Sequence, residues 1–176
     1  LTAKARHDAL HRNRVEGAMK VVYWALPLAT LVVAGVLTYL LPHLVAEAGG
    51  AQPFDLRPLG YSAMEARIYL QSLSPAGAAL YQGAFRLTDT IFPILFTLTL
   101  CLPLGGRGQI WFLPALAYGL CDLAENVAVA RLLQTGPEVS AQAVALASGF
   151  SQGKMAASLV AVVLALFGAL QAWRRR

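Results

Sequence analysis

Four apolar stretches, each long enough to cross a lipid bilayer, decide most of what this chain can fold into. They lie at residues 21–41, 77–102, 110–133 and 141–173. A helix rises 1.5 Å per residue, so about 20 residues match a hydrocarbon core of roughly 30 Å. The backbone of such a stretch finds no water to bond to and closes its hydrogen bonds within a helix. Composition agrees: 57% of the 176 residues are hydrophobic and 13% charged, against about a quarter charged in soluble domains. The expected fold is an all-α integral membrane protein, a four-transmembrane-helix bundle over residues 21–173.

The flanks set its orientation. A basic arm, residues 1–20, carries Lys4, Arg6, Arg12, Arg14 and Lys20, and the tail 174–176 is all arginine. With both termini cytoplasmic, Arg107 joins them inside. Arg57 and Arg67 stay outside, with Arg131 near the boundary. Cytoplasmic loops concentrate Lys and Arg, so this is the expected topology. Trp24, Trp111 and Trp173 fall near the same inner interface, where indoles settle. Ala46-Glu47-Ala48 after the first stretch resembles a signal cleavage site. The stretch exceeds the roughly 7–15 residues of a signal core, however, and reads as a retained anchor. No aromatic-interleaved basic module is present, so the basic ends fit topology and anionic lipid rather than nucleic acid. Cys101 and Cys121 lie at different depths and are not expected to pair.

Pro42 and His43 close the first stretch, and the outer loop 42–74 follows. Its first half, with Pro53, Asp55, Pro58 and Gly60, should be irregular. Ser62-Ala63-Met64-Glu65 reads as a capping box opening a short amphipathic helix to about Leu73; Met64 and Ile68 share a face with Tyr61, so the helix should lie on the membrane or cap the bundle. Ser74-Pro75 starts the next helix. Gly105, Gly106 and Gly108, and then Gly136-Pro137, mark tight turns. Ala145, Gly149, Gly153 and Ala157 form a small-residue ladder on which a neighbouring helix should pack.

Charges inside the apolar stretches locate the candidate site. Arg86, Asp89, Asp122, Glu125 and Lys154 would each cost roughly 2.5–3.5 kcal/mol at the bilayer centre, so they should face one another rather than lipid. Tyr118, Gly119, Asp122, Glu125 and Asn126 recur at helical spacing as one polar stripe on the third span. The second span answers with Gln82, Arg86 and Asp89, the fourth with Ser148, Ser151, Gln152 and Lys154. Counting along the helical rise, Asp89, Asp122 and Lys154 lie roughly 15–18 Å from the outer ends, and Arg86 and Glu125 roughly 10 Å. They form one layer. Pro93 clashes with the carbonyl four residues back, that of Asp89, so a kink and a free oxygen are expected beside that carboxylate. Three carboxylates against two cations should leave at least one acid sharing or holding a proton.

These residues exclude more than they select. His7, His11 and His43 lie outside the spans, so no metal site or haem has ligands at bilayer depth, and no cofactor is expected. Ser151 with Lys154 is the sole candidate nucleophile–base pair. Serine is common in spanning helices for packing, so no catalytic residue is assigned and the reading leans away from an enzyme. Three functions survive. The first is an accessory or assembly subunit of a larger membrane complex. The second is a proton- or cation-coupled transporter or channel component using the intramembrane carboxylates. The third is a lipid-binding or lipid-modifying protein with the polar layer as headgroup pocket. The partners expected are the lipid bilayer, other membrane subunits or further copies of the chain, and no nucleic acid. Arginine far outnumbers lysine while Ala, Leu and Gly dominate, which points to a bacterial inner membrane.

Phe54-Asp55-Leu56-Arg57, Gly60-Tyr61-Ser62, Tyr81, Asp89 with Phe92-Pro93, and Asp122-Leu123-Ala124-Glu125-Asn126 carry a resemblance. Over roughly residues 53–160 the chain resembles small bacterial four-span membrane proteins of unassigned function. The resemblance implies no activity. It implies only that Asp55 and Arg57 of the outer loop belong with the intramembrane acids.

Overall fold

Helices make up nearly all of the chain, in the order α1 (Ala3–Glu47), α2 (Ala63–Ser72), α3 (Pro75–Leu80), α4 (Arg86–Cys101), α5 (Leu113–Thr135) and α6 (Ala141–Arg174). The computed structural model describes residues 3–175, except the side chains of 3–13, 15, 16 and 18. The side chains of Lys4, Arg6 and Arg12, and all of Arg176, therefore lie outside the described residues. Among the described residues there is no strand. Four helical stretches are long and apolar enough to cross a membrane: Met19–Glu47, Pro75–Leu104, Gln109–Glu138 and Ala141–Arg174.

Pro42 does not close the first of these, contrary to the sequence expectation. α1 runs through both Pro27 and Pro42 and stops at Glu47. The stop comes from Gly49 (φ 63°) and Gly50 (φ 90°), whose left-handed backbone lets the Gly50 amide fold back onto the Val45 carbonyl at 2.9 Å. An internal proline is tolerated in a spanning helix when neighbouring groups cover the freed carbonyl. The expected capping box is present: Ser62 Oγ accepts from the Glu65 amide, and the Glu65 carboxylate accepts from the Ser62 amide at 2.7 Å. α2 buries Ala66, Tyr69 and Leu70, while Met64 and Ile68 are exposed, so Tyr61 does not share their environment. Of the two expected placements α2 takes the second and caps the bundle, with the Arg67 guanidinium donating to the Val139 carbonyl at 3.1 Å.

The second span is composite. α3 begins at Ser74-Pro75 as expected, with Ser74 Oγ accepting from the Gly77 amide. The Ser74 amide donates to the Glu47 carbonyl at 2.9 Å and its hydroxyl to the Glu47 carboxylate, which pins the second span to the end of the first. Tyr81–Phe85 is a π turn with non-helical angles at Gly83, and α4 then continues through Pro93. The irregular turn is at Gly83.

α5 and α6 share the most extensive interface, α4 packs on α5, and α1 packs on α4. Thr30 and Thr99 bridge α1 and α4 through a 2.8 Å hydroxyl–hydroxyl bond. The expected ladder on α6 makes its contact only in part. Gly149 has open space around it and Ala145 is exposed; the buried face carries Val144, Ala147, Ser148 and Ser151. Gly153 meets Cys121 and Ala157 is half-buried, and both cysteines are free thiols. The packing face is rotated off the ladder because Ser151 and Lys154 must turn toward the acids of α5.

Candidate functional site

Lys154 stands at the centre of the polar layer. Its Nζ lies 3.2 Å from Asp122 Oδ1 and 2.5 Å from Glu125 Oε2, joining α6 to two successive turns of α5. Asp122 and Glu125 sit one above the other because residues three apart share a helix face. Each acid has a second partner: Tyr118 donates to Asp122 Oδ2 at 2.6 Å, and Ser151 donates to Glu125 Oε1. Glu125 is fully buried, and its Oε2 is met by the lysine charge alone, outside hydrogen-bond geometry. The Ser151 hydroxyl is committed to a carboxylate rather than offered to a base.

The carbonyl freed by Pro93 is not left bare. Asn126 Nδ2 donates to the Asp89 carbonyl at 3.0 Å, tying α4 to α5 where the helix lacks its own donor. The Asp89 carboxyl remains. It is buried, and among the described residues no side chain bonds or ion-pairs with it.

Asp55 completes the layer from the loop. The single 3₁₀ turn Phe54–Leu56 tucks the carboxyl inward, where Tyr81 donates to Oδ2 and Oδ1 is sealed from solvent without a partner. The same Tyr81 oxygen accepts from the Phe54 amide at 3.1 Å. Burial pushes the Asp55 carboxyl above its usual range, against the opposing pull of Lys154 and of the Tyr81 hydrogen bond.

Asp55 is held in place from α6. Gly60 (φ 85°) lies so close to Ser148 and Gln152 that a Cβ would collide with both. Ser148 Oγ accepts from the Tyr61 amide at 2.8 Å, and Gln152 donates to the Leu59 carbonyl at 3.1 Å. Above it runs an aromatic roof of Phe54, Tyr61, Tyr69, Tyr81 and Phe85 with neighbouring ring centroids 4.7–6.3 Å apart. Burial raises the phenol pKa of Tyr61 and Tyr69, so both remain neutral.

The expected constellation is thus partly assembled. Asp89, Asp122, Glu125, Asn126, Lys154, Tyr118, Ser151 and Asp55 are in the layer. Arg57 is not: it donates to the Gln52 carbonyl and lies over the rings of Phe54, Tyr61 and Tyr69. Gln152 serves the loop. Arg86 borders a narrow gap with Asp89 and Asn126 but forms no salt bridge among the described residues, and Gln82 forms no side-chain hydrogen bond there. Sequence reasoning missed the part played by Ser148, whose only signal was its place beside Ser151 on α6.

Part of this set opens onto one cavity of about 320 Å³. Asp55, Asp89, Asp122 and Lys154 line it on one side; Leu37 and Leu41 of α1, Phe92 and Phe96 of α4, and Met155 of α6 supply apolar walls. Thr38 and Met155 are exposed at its rim, between α1 and α6. No cluster of three or more metal-ligating side chains occurs among the described residues. Compared with protein-family models, curated proteins and solved structures, the chain finds no match.

Proposed function

We propose that this chain binds a membrane-borne amphiphile in the cleft between α1 and α6, with the amphiphile's polar group against the charged layer. The observation that carries this reading is the convergence of Asp55, Asp89, Asp122 and Lys154 on one cavity whose remaining walls are mostly apolar, with the hydroxyls of Thr38, Tyr118 and Ser158 among them. Ligand sites are commonly apolar clefts with a few convergent polar groups, and this one is at the small end of their size range. It has room for a polar group and a few carbons, with any longer chain lying among the lipids outside. Lys154 is already occupied by Asp122 and Glu125. The Asp89 carboxyl is the group left to accept, so the polar group is one that donates hydrogen bonds, a hydroxyl or an amine.

Native mass spectrometry of the protein released from its membrane into mild detergent tests this. A stoichiometric small adduct is expected, lost when the rim is filled by Met155→Trp and weakened by Asp89→Asn. An adduct that survives Met155→Trp in a folded protein would count against the cleft.

A second reading, an accessory subunit of a larger complex, draws support from α1. Beyond its contact with α4, α1 leaves Leu28, Leu31, Val32 and Val36 exposed, an apolar face free for lipid or a partner helix. A polypeptide retained in stoichiometric amount in the same spectra would favour it. In either reading we place the chain in a bacterial inner membrane, with both termini cytoplasmic on the strength of the Lys and Arg distribution.

A further inference from the structure

A second recess lies at the end of the bundle where α1 enters, α6 ends and the 102–108 turn crosses between α4 and α5. Its volume is about 840 Å³. Lys20, Tyr23 and Trp24 line it from α1, Arg107 from the turn, and Gln171 and Arg175 from the end of α6. Three cations converge there, and among the described residues no carboxylate lines the recess. We propose that it is a binding site for the phosphate headgroup of an anionic phospholipid.

Arg107 carries the argument. Its guanidinium is fixed at half-burial by donating to the Pro103 carbonyl at 2.7 Å and to Gln171 Oε1 at 2.8 Å. Both acceptors are neutral, so the charge is uncompensated. A guanidinium has five N–H donors, and these two bonds leave three for a ligand. Its orientation is already set, which lowers the entropy lost when it grips a phosphate.

Trp24 and Tyr23 point to a lipid source for that phosphate. Trp24 is 74% exposed and Tyr23 stands edge-on to it at 6.0 Å. Aromatic side chains of this kind settle at headgroup level, and basic recesses between spanning helices hold anionic headgroups. The site is separate from the cleft between α1 and α6 and does not depend on it.

The test uses the full chain carrying Trp111→Phe and Trp173→Phe, so that Trp24 is the remaining indole. The protein is placed in phosphatidylcholine nanodiscs, and brominated phosphatidylglycerol or brominated phosphatidylcholine is titrated in while Trp24 fluorescence is followed. The anionic lipid should quench at a several-fold lower mole fraction than the zwitterionic one. Arg107→Gln should cut that preference roughly fivefold, the value of one basic residue at an anionic surface. Arg14→Gln, a cation outside the recess, should leave it unchanged. Should Arg107→Gln fail to fold, Lys20→Gln with Arg175→Gln removes charge without touching the two bonds that anchor the turn. Equal quenching by the two lipids overturns the proposal, as does an equal loss in Arg14→Gln, which would mean diffuse attraction. Relief of quenching by millimolar inorganic phosphate would overturn the lipid assignment and leave a free-anion site.

Discussion

Lys154 shares one positive charge between two carboxylates whose other side-chain partners are neutral hydroxyls. Removing one partner of a buried ion pair typically costs about 3–5 kcal/mol, because the other charge is left uncompensated. Lys154→Met should therefore destabilise the bundle by about that amount, read as earlier unfolding in a dodecyl sulfate titration. Glu125→Gln in the same chain should restore part of the loss, since it removes one of the stranded acids. A Lys154→Met protein that unfolds with the wild type would show that the layer is solvated rather than locked. Asn126 makes a different case, because its bond goes to a carbonyl orphaned by Pro93. Asn126→Leu alone should cost about 1–3 kcal/mol, the penalty for an unmet buried acceptor. In a Pro93→Ala background residue 93 regains an amide that can reach the Asp89 carbonyl, and Asn126→Leu should then cost clearly less. Additive losses in that double-mutant cycle would deny that Asn126 substitutes for the missing amide.

Elements were legible where one kind of signal decides them. Four apolar lengths became four candidate spans, and Ser62, Glu65 and Ser74-Pro75 became the caps that they spell. Helix phase was harder. The π turn at Tyr81–Phe85 breaks the 3.6-residue count, so Gln82 cannot be carried onto the face of Asp89 by spacing alone. The α6 ladder held only at Gly153 and Ala157 for a related reason: small residues permit close approach, but the polar groups of α6 decided which side turns inward. This has a consequence for two glycines. Gly149 faces open space, so Gly149→Ala should be neutral or stabilising by up to about 1 kcal/mol, the usual gain inside a helix. Gly119 faces Thr97 of α4 so closely that an added methyl has no room. Gly119→Ala should cost about 1–3 kcal/mol by overpacking. Thermal unfolding in detergent distinguishes them, and a reversed order would restore the ladder as the packing face.

At the scale of the whole molecule, α1 and α6 meet mainly across a cavity, and the loop that joins α1 to α3 folds into the bundle to complete the charged layer. The sequence indicated the depth of Asp89, Asp122 and Lys154 but not that of Asp55, because counting along helices leaves every loop outside the membrane. Asp55 arrives through tertiary contacts, Gly60 against α6 and Tyr81 over the carboxyl, which no periodicity records. The two ends of the molecule also differ in charge. Lys20, Arg107 and Arg175 gather in the recess at one end, whereas Arg57 at the other lies over aromatic rings and Arg67 is bonded to Val139. Positively charged ends are retained in the cytoplasm, so the recess should face inward and α2 outward. A chain with Cys101→Ala and Cys121→Ala provides the background for single reporters. Met64→Cys, at an exposed position on α2, should react with a membrane-impermeant maleimide on intact bacteria. Gly106→Cys, in the turn beside Arg107, should react only after the membrane is opened. The reverse pattern would turn the molecule over and place the basic recess against the outer leaflet, where the positive-inside argument for its topology fails.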